Sequence, residues 1–101
     1  MPKPKIEILW SDGTKADLLH IFNWVKEASG SLEVAINIRN SIIQRSKEIH
    51  FVEQYQTDEY LGEPFRRMIV HHYKIIYKPQ NNLQIRILKI FDTHQDPKKL
   101  K

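Results

Sequence analysis

The 101 residues contain no cysteine. That excludes a disulfide framework and a thiolate metal site, and it fits a reducing compartment. No stretch approaches the roughly 20 consecutive apolar residues that span a bilayer. The opening Met1-Pro2-Lys3-Pro4-Lys5 leads straight into Ile6-Glu7-Ile8-Leu9-Trp10, an apolar run too short and too interrupted for a signal peptide. Glycine occurs only three times, and no internal repeat or second domain is visible. The expectation is one small domain over residues 1–101, soluble and cytoplasmic, with no part in a membrane. A chain of this length can fold on a single core without covalent staples.

What is present is charge, unevenly placed. Residues 1–63 carry 7 Lys/Arg against 10 Asp/Glu, whereas residues 64–101 carry 9 against 2. The C-terminal part is therefore strongly basic, and such asymmetry suggests an anionic partner for it.

That basic part is also the one the rest of the chain is built around. Residues 65–91 are dominated by β-branched and aromatic residues and interrupted twice by turn residues, which predicts three consecutive strands. His71-His72 marks the first reversal and Pro79-Gln80-Asn81-Asn82 the second. Reversals this short impose antiparallel pairing, because a parallel partner needs a crossover. The alternation then sorts the faces. Tyr73, Ile75 and Tyr77 share one face with Leu83, Ile85 and Ile87 of the next strand. Lys74, Ile76 and Lys78 lie opposite them, with Gln84, Arg86 and Leu88. One face is apolar and to be covered; the other is cationic and open. Tyr73, Ile75 and Tyr77 are expected to be buried, and Lys74 and Arg86 exposed.

The acidic half supplies the cover. Residues 6–10 alternate as a first strand. Ser11-Asp12-Gly13-Thr14 offers capping oxygens for a helix, in which Leu18, Phe22 and Val25 repeat at helical spacing, widened by Ile21, Trp24 and Ala28. Gly30 suits the left-handed position that ends it, and Ser31 caps a second helix with the stripe Ala35, Ile38 and Ile42. So short a join makes the two helices an antiparallel hairpin. Trp10, Phe22 and Trp24 are read as packing residues. Residues 50–64 show no period; Phe51, Tyr55 and Tyr60 are its candidate anchors, and Gly62-Glu63-Pro64 its turn into the sheet. The expected fold is α+β in the order β-α-α-β-β-β, a helical hairpin on one face of a small antiparallel sheet. Helices are predicted over about 12–28 and 32–49, and strands over about 6–10, 65–71, 73–78 and 83–91.

This order, with these residues, resembles the RelE/ParE superfamily of toxins from type II toxin–antitoxin modules, whose members are often labelled plasmid-stabilisation proteins. The matching pieces are Ile8-Leu9-Trp10-Ser11 ahead of a helix, Gly62-Glu63-Pro64-Phe65-Arg66-Arg67 entering the second strand, and Tyr73-Lys74-Ile75-Ile76-Tyr77. The ending Phe91-Asp92-Thr93-His94-Gln95-Asp96-Pro97-Lys98-Lys99-Leu100 looks like the tail of many ParE-like members. The sequence departs from the pattern at Lys74 and His94, where the family more often has Arg. Both keep a potential cation but lose the planar fork that grips a phosphate with two bonds.

The resemblance implies a toxin neutralised by a cognate antitoxin, and it leaves two activities open. Some members cut messenger RNA on the ribosome, which needs a base, an acid and cations for the pentavalent phosphate. For that chemistry the candidates are Lys74 and His94 as catalytic residues, with Arg66, Arg67 and Arg86 as further cations; Arg66 and Arg67 are adjacent, so only one of them faces the basic side. ParE-like members poison DNA gyrase instead and need only a binding surface, to which Arg66, Arg67, Lys74, Arg86 and His94 would contribute. The tail most resembles that second branch, and the sequence lacks the Tyr or His-Tyr ending of the ribosome-dependent nucleases. Neither activity calls for a cofactor or a metal, and Asp92, His94 and Asp96 lack any recognised ligand spacing.

Overall fold

A computed structural model of the chain describes residues 5–93. Strand β1 (Glu7–Trp10) is followed by helices α1 (Asp12–Ser29) and α2 (Leu32–Lys47), then by strands β2 (Arg66–Val70), β3 (Tyr73–Asn81) and β4 (Gln84–Asp92). The predicted helix punctuation holds. Ser11 caps α1 by accepting from the Thr14 amide, Gly30 ends it at φ 68°, and Ser31 caps α2 by accepting from the Val34 amide.

The sheet order is β1-β4-β3-β2. The three C-terminal strands pair antiparallel as expected, while β1 joins β4 in parallel, so the complete sheet is mixed. β3 also runs further than predicted, through Pro79 to Asn81. Proline is tolerated there because β2 stops at the level of Tyr77, so the strand has no neighbour on that side from Lys78 onward.

The helical hairpin covers the face that carries Tyr73, Ile75, Tyr77, Ile85 and Ile87, all at most 1% exposed. Ile21, Val25, Ala35 and Ile42 close the core from the helices. In β4 the alternation slips once: Ile76 pairs with Lys89 but Tyr77 with Ile87, which leaves Leu88 as an extra residue. The slip turns Ile90 inward in place of Lys89, whose ammonium pairs with Asp17 of α1 at 3.1 Å. Trp24, read from the sequence as a packing residue, is instead 54% exposed. The buried line of α1 runs through Thr14, Ile21 and Val25, and Trp24 falls beside it. The hydroxyl of Thr14, fully buried, donates to the Ile87 carbonyl and fastens the start of α1 to β4.

Candidate target-binding face

The second face of the sheet is less open than its alternation suggests. Residues 50–65 wrap around the outer edge of β2. Thr57 bridges Arg66, the Arg67 amide donates to Gln56, and the Asp58 amide donates to Phe65, so the exposed row of β2 is capped by a short stretch of the chain itself. On the helix side the wrap is held by Tyr77, whose hydroxyl donates to the Val52 carbonyl and accepts from the Tyr55 amide. The Arg66 guanidinium donates to the Tyr55 carbonyl at 2.7 Å. The anchors are thus Val52, Tyr55 and Asp58. Phe51 and Tyr60, expected to serve, are 54% and 48% exposed.

On the other side the wrap ends on Lys74. Its ammonium lies 2.8 Å from Asp58 Oδ1 and 4.8 Å from the centre of the Tyr60 ring. Lys74 is 5% exposed and Asp58 1%. This corrects the expectation of a solvent-facing Lys74: period two assigns the face correctly, but the face is covered at that point. The second oxygen of Asp58 accepts from the amides of Tyr60 and Leu61 at 3.0 and 2.8 Å, the turn chemistry in which aspartate excels. Gly62, at φ 71°, closes the turn by donating to the Asp58 carbonyl. Burial alone would push the Asp58 carboxyl up; the hydrogen bond from Lys74, the two amides and the ammonium charge outweigh it and hold the carboxyl below the ordinary aspartate value.

Register settles the choice between the adjacent arginines. Arg67 pairs with Ile76, which is two residues from Lys74 on the same face. Arg66 pairs with Tyr77 on the helix side and is occupied with Tyr55. Arg86 is exposed, as expected, and stands directly opposite Lys78. Two like charges in register repel, and among the described residues neither has an ion-pair partner. The Nε of Arg67 is buried without a hydrogen-bond partner. Arg67, Lys78 and Arg86 therefore form an uncompensated cationic row beside the Lys74–Asp58 pair. His94 lies outside the described residues. Among the described residues no group of His, Asp and Glu is placed to hold a metal, and no helix is long and apolar enough to cross a membrane.

Sequence reasoning missed Asp58. Its signal was faint: an aspartate four residues before a glycine, in a stretch without periodicity.

The sequence model of the ParE toxin of type II toxin–antitoxin systems, parDE, matches residues 8–97. The chain belongs to this family. In structure this ParE-family toxin is similar to a chain of the chromosomal ParDE toxin–antitoxin system from P. aeruginosa, with a TM-score of 0.71 and 16% sequence identity over 86% of this chain and 95% of that one. At that identity the likeness speaks for the fold. Comparison with curated proteins gives no match. The ParE family and the β-α-α-β-β-β order agree with the resemblance carried by the sequence motifs.

Proposed function

We propose that this ParE-family toxin acts by binding DNA gyrase rather than by cutting RNA, and that a cognate antitoxin neutralises it. The observation that carries this reading is the pairing of Lys74 with Asp58. A phosphate-cleaving site needs a cation free to meet developing charge, and here the cation at the family's Arg position is buried and already neutralised by a carboxylate. What that face still offers is a row of cationic side chains suited to binding, Arg86 exposed and Arg67 and Lys78 half-buried.

The antitoxin reading is supported on the opposite side of the molecule. A groove of about 420 Å³ runs between Trp10, Leu18, Leu19, Phe22 and Ile43, with Lys15 and Arg39 among its lining residues. Leu19 is 61% exposed there. An acidic antitoxin segment that folds on binding would lay its apolar side chains in the groove and its carboxylates beside these cations. Strand β1 is the sheet's other edge, available for an added strand.

Two assays on the purified protein decide the activity: supercoiling and cleavage by gyrase, and cutting of mRNA in a translating extract. Gyrase inhibition without mRNA cutting is the expected result. Ribosome-dependent cutting that disappears in His94→Ala, with gyrase untouched, reverses the assignment. For the partner, co-expression with the product of the adjacent small gene should yield a salt-sensitive complex that abolishes toxicity; failure to co-purify overturns that part.

A further inference from the structure

The turn that buries Asp58 leaves its own next residue but one in the open. Tyr60 is 48% exposed, yet it is held at both ends. Its amide donates to Asp58 Oδ2 at 3.0 Å, and its ring lies against the Lys74 ammonium, 4.8 Å from ring centre to nitrogen. An exposed tyrosine fixed in this way gives up little conformational freedom when a partner covers it.

Ile69 stands beside the same lysine. It pairs directly with Lys74 across β2 and β3, so the two side chains share a face. Its chain neighbours Met68 and Val70 turn into the core, while Ile69 is left 40% exposed. Ile76, next along that face of β3 from Lys74, is buried, so the patch rests on a packed layer. The cationic row borders it. Arg67 lies two residues before Ile69 on the same side of β2, opposite Ile76, and Lys78 and Arg86 follow beyond Ile76. Glu59, exposed just before Tyr60, offsets one of these charges and leaves the surface net positive. A single exposed apolar side chain is ordinary. A rigid aromatic and an aliphatic side chain flanking one buried ion pair, with cations at their border, have the composition of a binding hot spot and its rim.

We propose that Tyr60 and Ile69 anchor the contact with the target, an acidic protein surface whose apolar hollow receives them while Arg67 and Arg86 meet the carboxylates around it. The inference rests on the reading that this toxin acts by binding a protein, and it names the centre of that contact, which the cationic row alone does not. The charge of the border selects an acidic partner. The isoleucine selects a protein: a nucleic acid would use the aromatic ring and the cations and leave Ile69 without a role.

The test passes purified DNA gyrase over the tethered full-length toxin and reads both rate constants. Tyr60→Ala should raise the dissociation rate about tenfold or more, and Ile69→Thr about three- to tenfold, with the association rate and its salt dependence unchanged. Arg86→Gln should instead slow association and flatten its salt dependence. Trp24→Ala, which removes an exposed aromatic from the helical side, should change neither rate. Ile69→Thr keeps a β-branched side chain and should leave urea unfolding unchanged, so it separates contact from fold if Tyr60→Ala loosens the turn. A parent toxin that does not bind gyrase defeats the reading beneath the proposal. Growth arrest on expression, which presumes no particular target, then decides the anchor: Tyr60→Ala and Ile69→Thr should abolish it and Trp24→Ala should keep it. Retention of binding or of growth arrest in both anchor variants, an equal loss in Trp24→Ala, or absence of both effects in the parent would overturn the proposal. So would tight binding of a single-stranded oligonucleotide that Tyr60→Ala weakens and Ile69→Thr does not.

Discussion

The Lys74 ammonium lies 2.8 Å from the Asp58 carboxylate, and neither side chain meets solvent, at 6% and 0% exposure. The pair joins the central region of the sheet to a loop that has no regular structure of its own. It also changes what the cationic face is for. A lysine that would otherwise greet a phosphate serves as an internal clamp, and the exposed charge on that face is carried by Arg86, with Arg67 and Lys78 half-buried.

Removing one member of the pair leaves the other buried and uncompensated. Asp58→Ala and Lys74→Ala should each cost about 3–5 kcal/mol in urea unfolding. The double change Asp58→Leu with Lys74→Met should recover most of that loss, since an apolar pair of similar volume avoids desolvating two charges. A double-variant loss equal to the sum of the two single losses would show that the pair is not coupled.

Acid should weaken the fold through the same carboxylate. The unfolded Asp58 titrates near about 3.9, and the folded one lower. Between the two values the unfolded chain binds more protons, so this contribution is fully present above about pH 4 and is lost as pH falls through the folded value. Asp58→Asn should flatten the acid limb of the stability profile below about pH 4, measured by denaturant titration at successive pH values.

The two buried tyrosines of β3 should respond oppositely to loss of their hydroxyls. Tyr77→Phe strands the Val52 carbonyl and the Tyr55 amide and should cost about 1–3 kcal/mol. Tyr73→Phe removes a group with no partner and should be neutral or stabilising. Both phenols are pushed above the ordinary value, mainly by burial. Their contribution is therefore complete below about pH 10 and is lost as pH rises through the folded values, so alkaline unfolding should set in above that point.

Charge reversal at Arg86 separates stability from target binding. Arg86→Glu turns a repulsive cross-strand pair with Lys78 into an attractive one and should stabilise the sheet by about 0.2–1 kcal/mol. On the proposed function it should also reduce inhibition of gyrase and leave antitoxin binding intact. A variant that gains stability and keeps full inhibition would remove Arg86 from the binding face.

On the helical side, Leu19→Glu should leave the fold within about 0.5 kcal/mol of the parent, because the side chain is already 61% exposed. It should weaken the antitoxin complex at least tenfold in a binding titration, by placing a carboxylate among apolar contacts and against an acidic partner.

Much of the architecture is legible in the residues themselves. Period two in residues 65–91 identifies three strands, and Tyr73, Ile75 and Tyr77 as their covered face. Ser11, Gly30 and Ser31 bound the helices because capping chemistry is local. Arg86 falls where alternation puts it. These features depend on neighbours a few residues apart, which is the range over which a sequence speaks directly. Three others depend on distant partners. The parallel addition of β1 rests on its contact with β4, some 77 positions on. The place of Ile90 rests on the extra residue at Leu88. The state of Lys74 rests on where an aperiodic loop comes to lie. Alternation assigned that lysine to the correct face but carried no information about Asp58, 16 residues away. Only the tertiary structure, by folding residues 50–65 around the edge of β2, decided that the cation would be buried and paired rather than free.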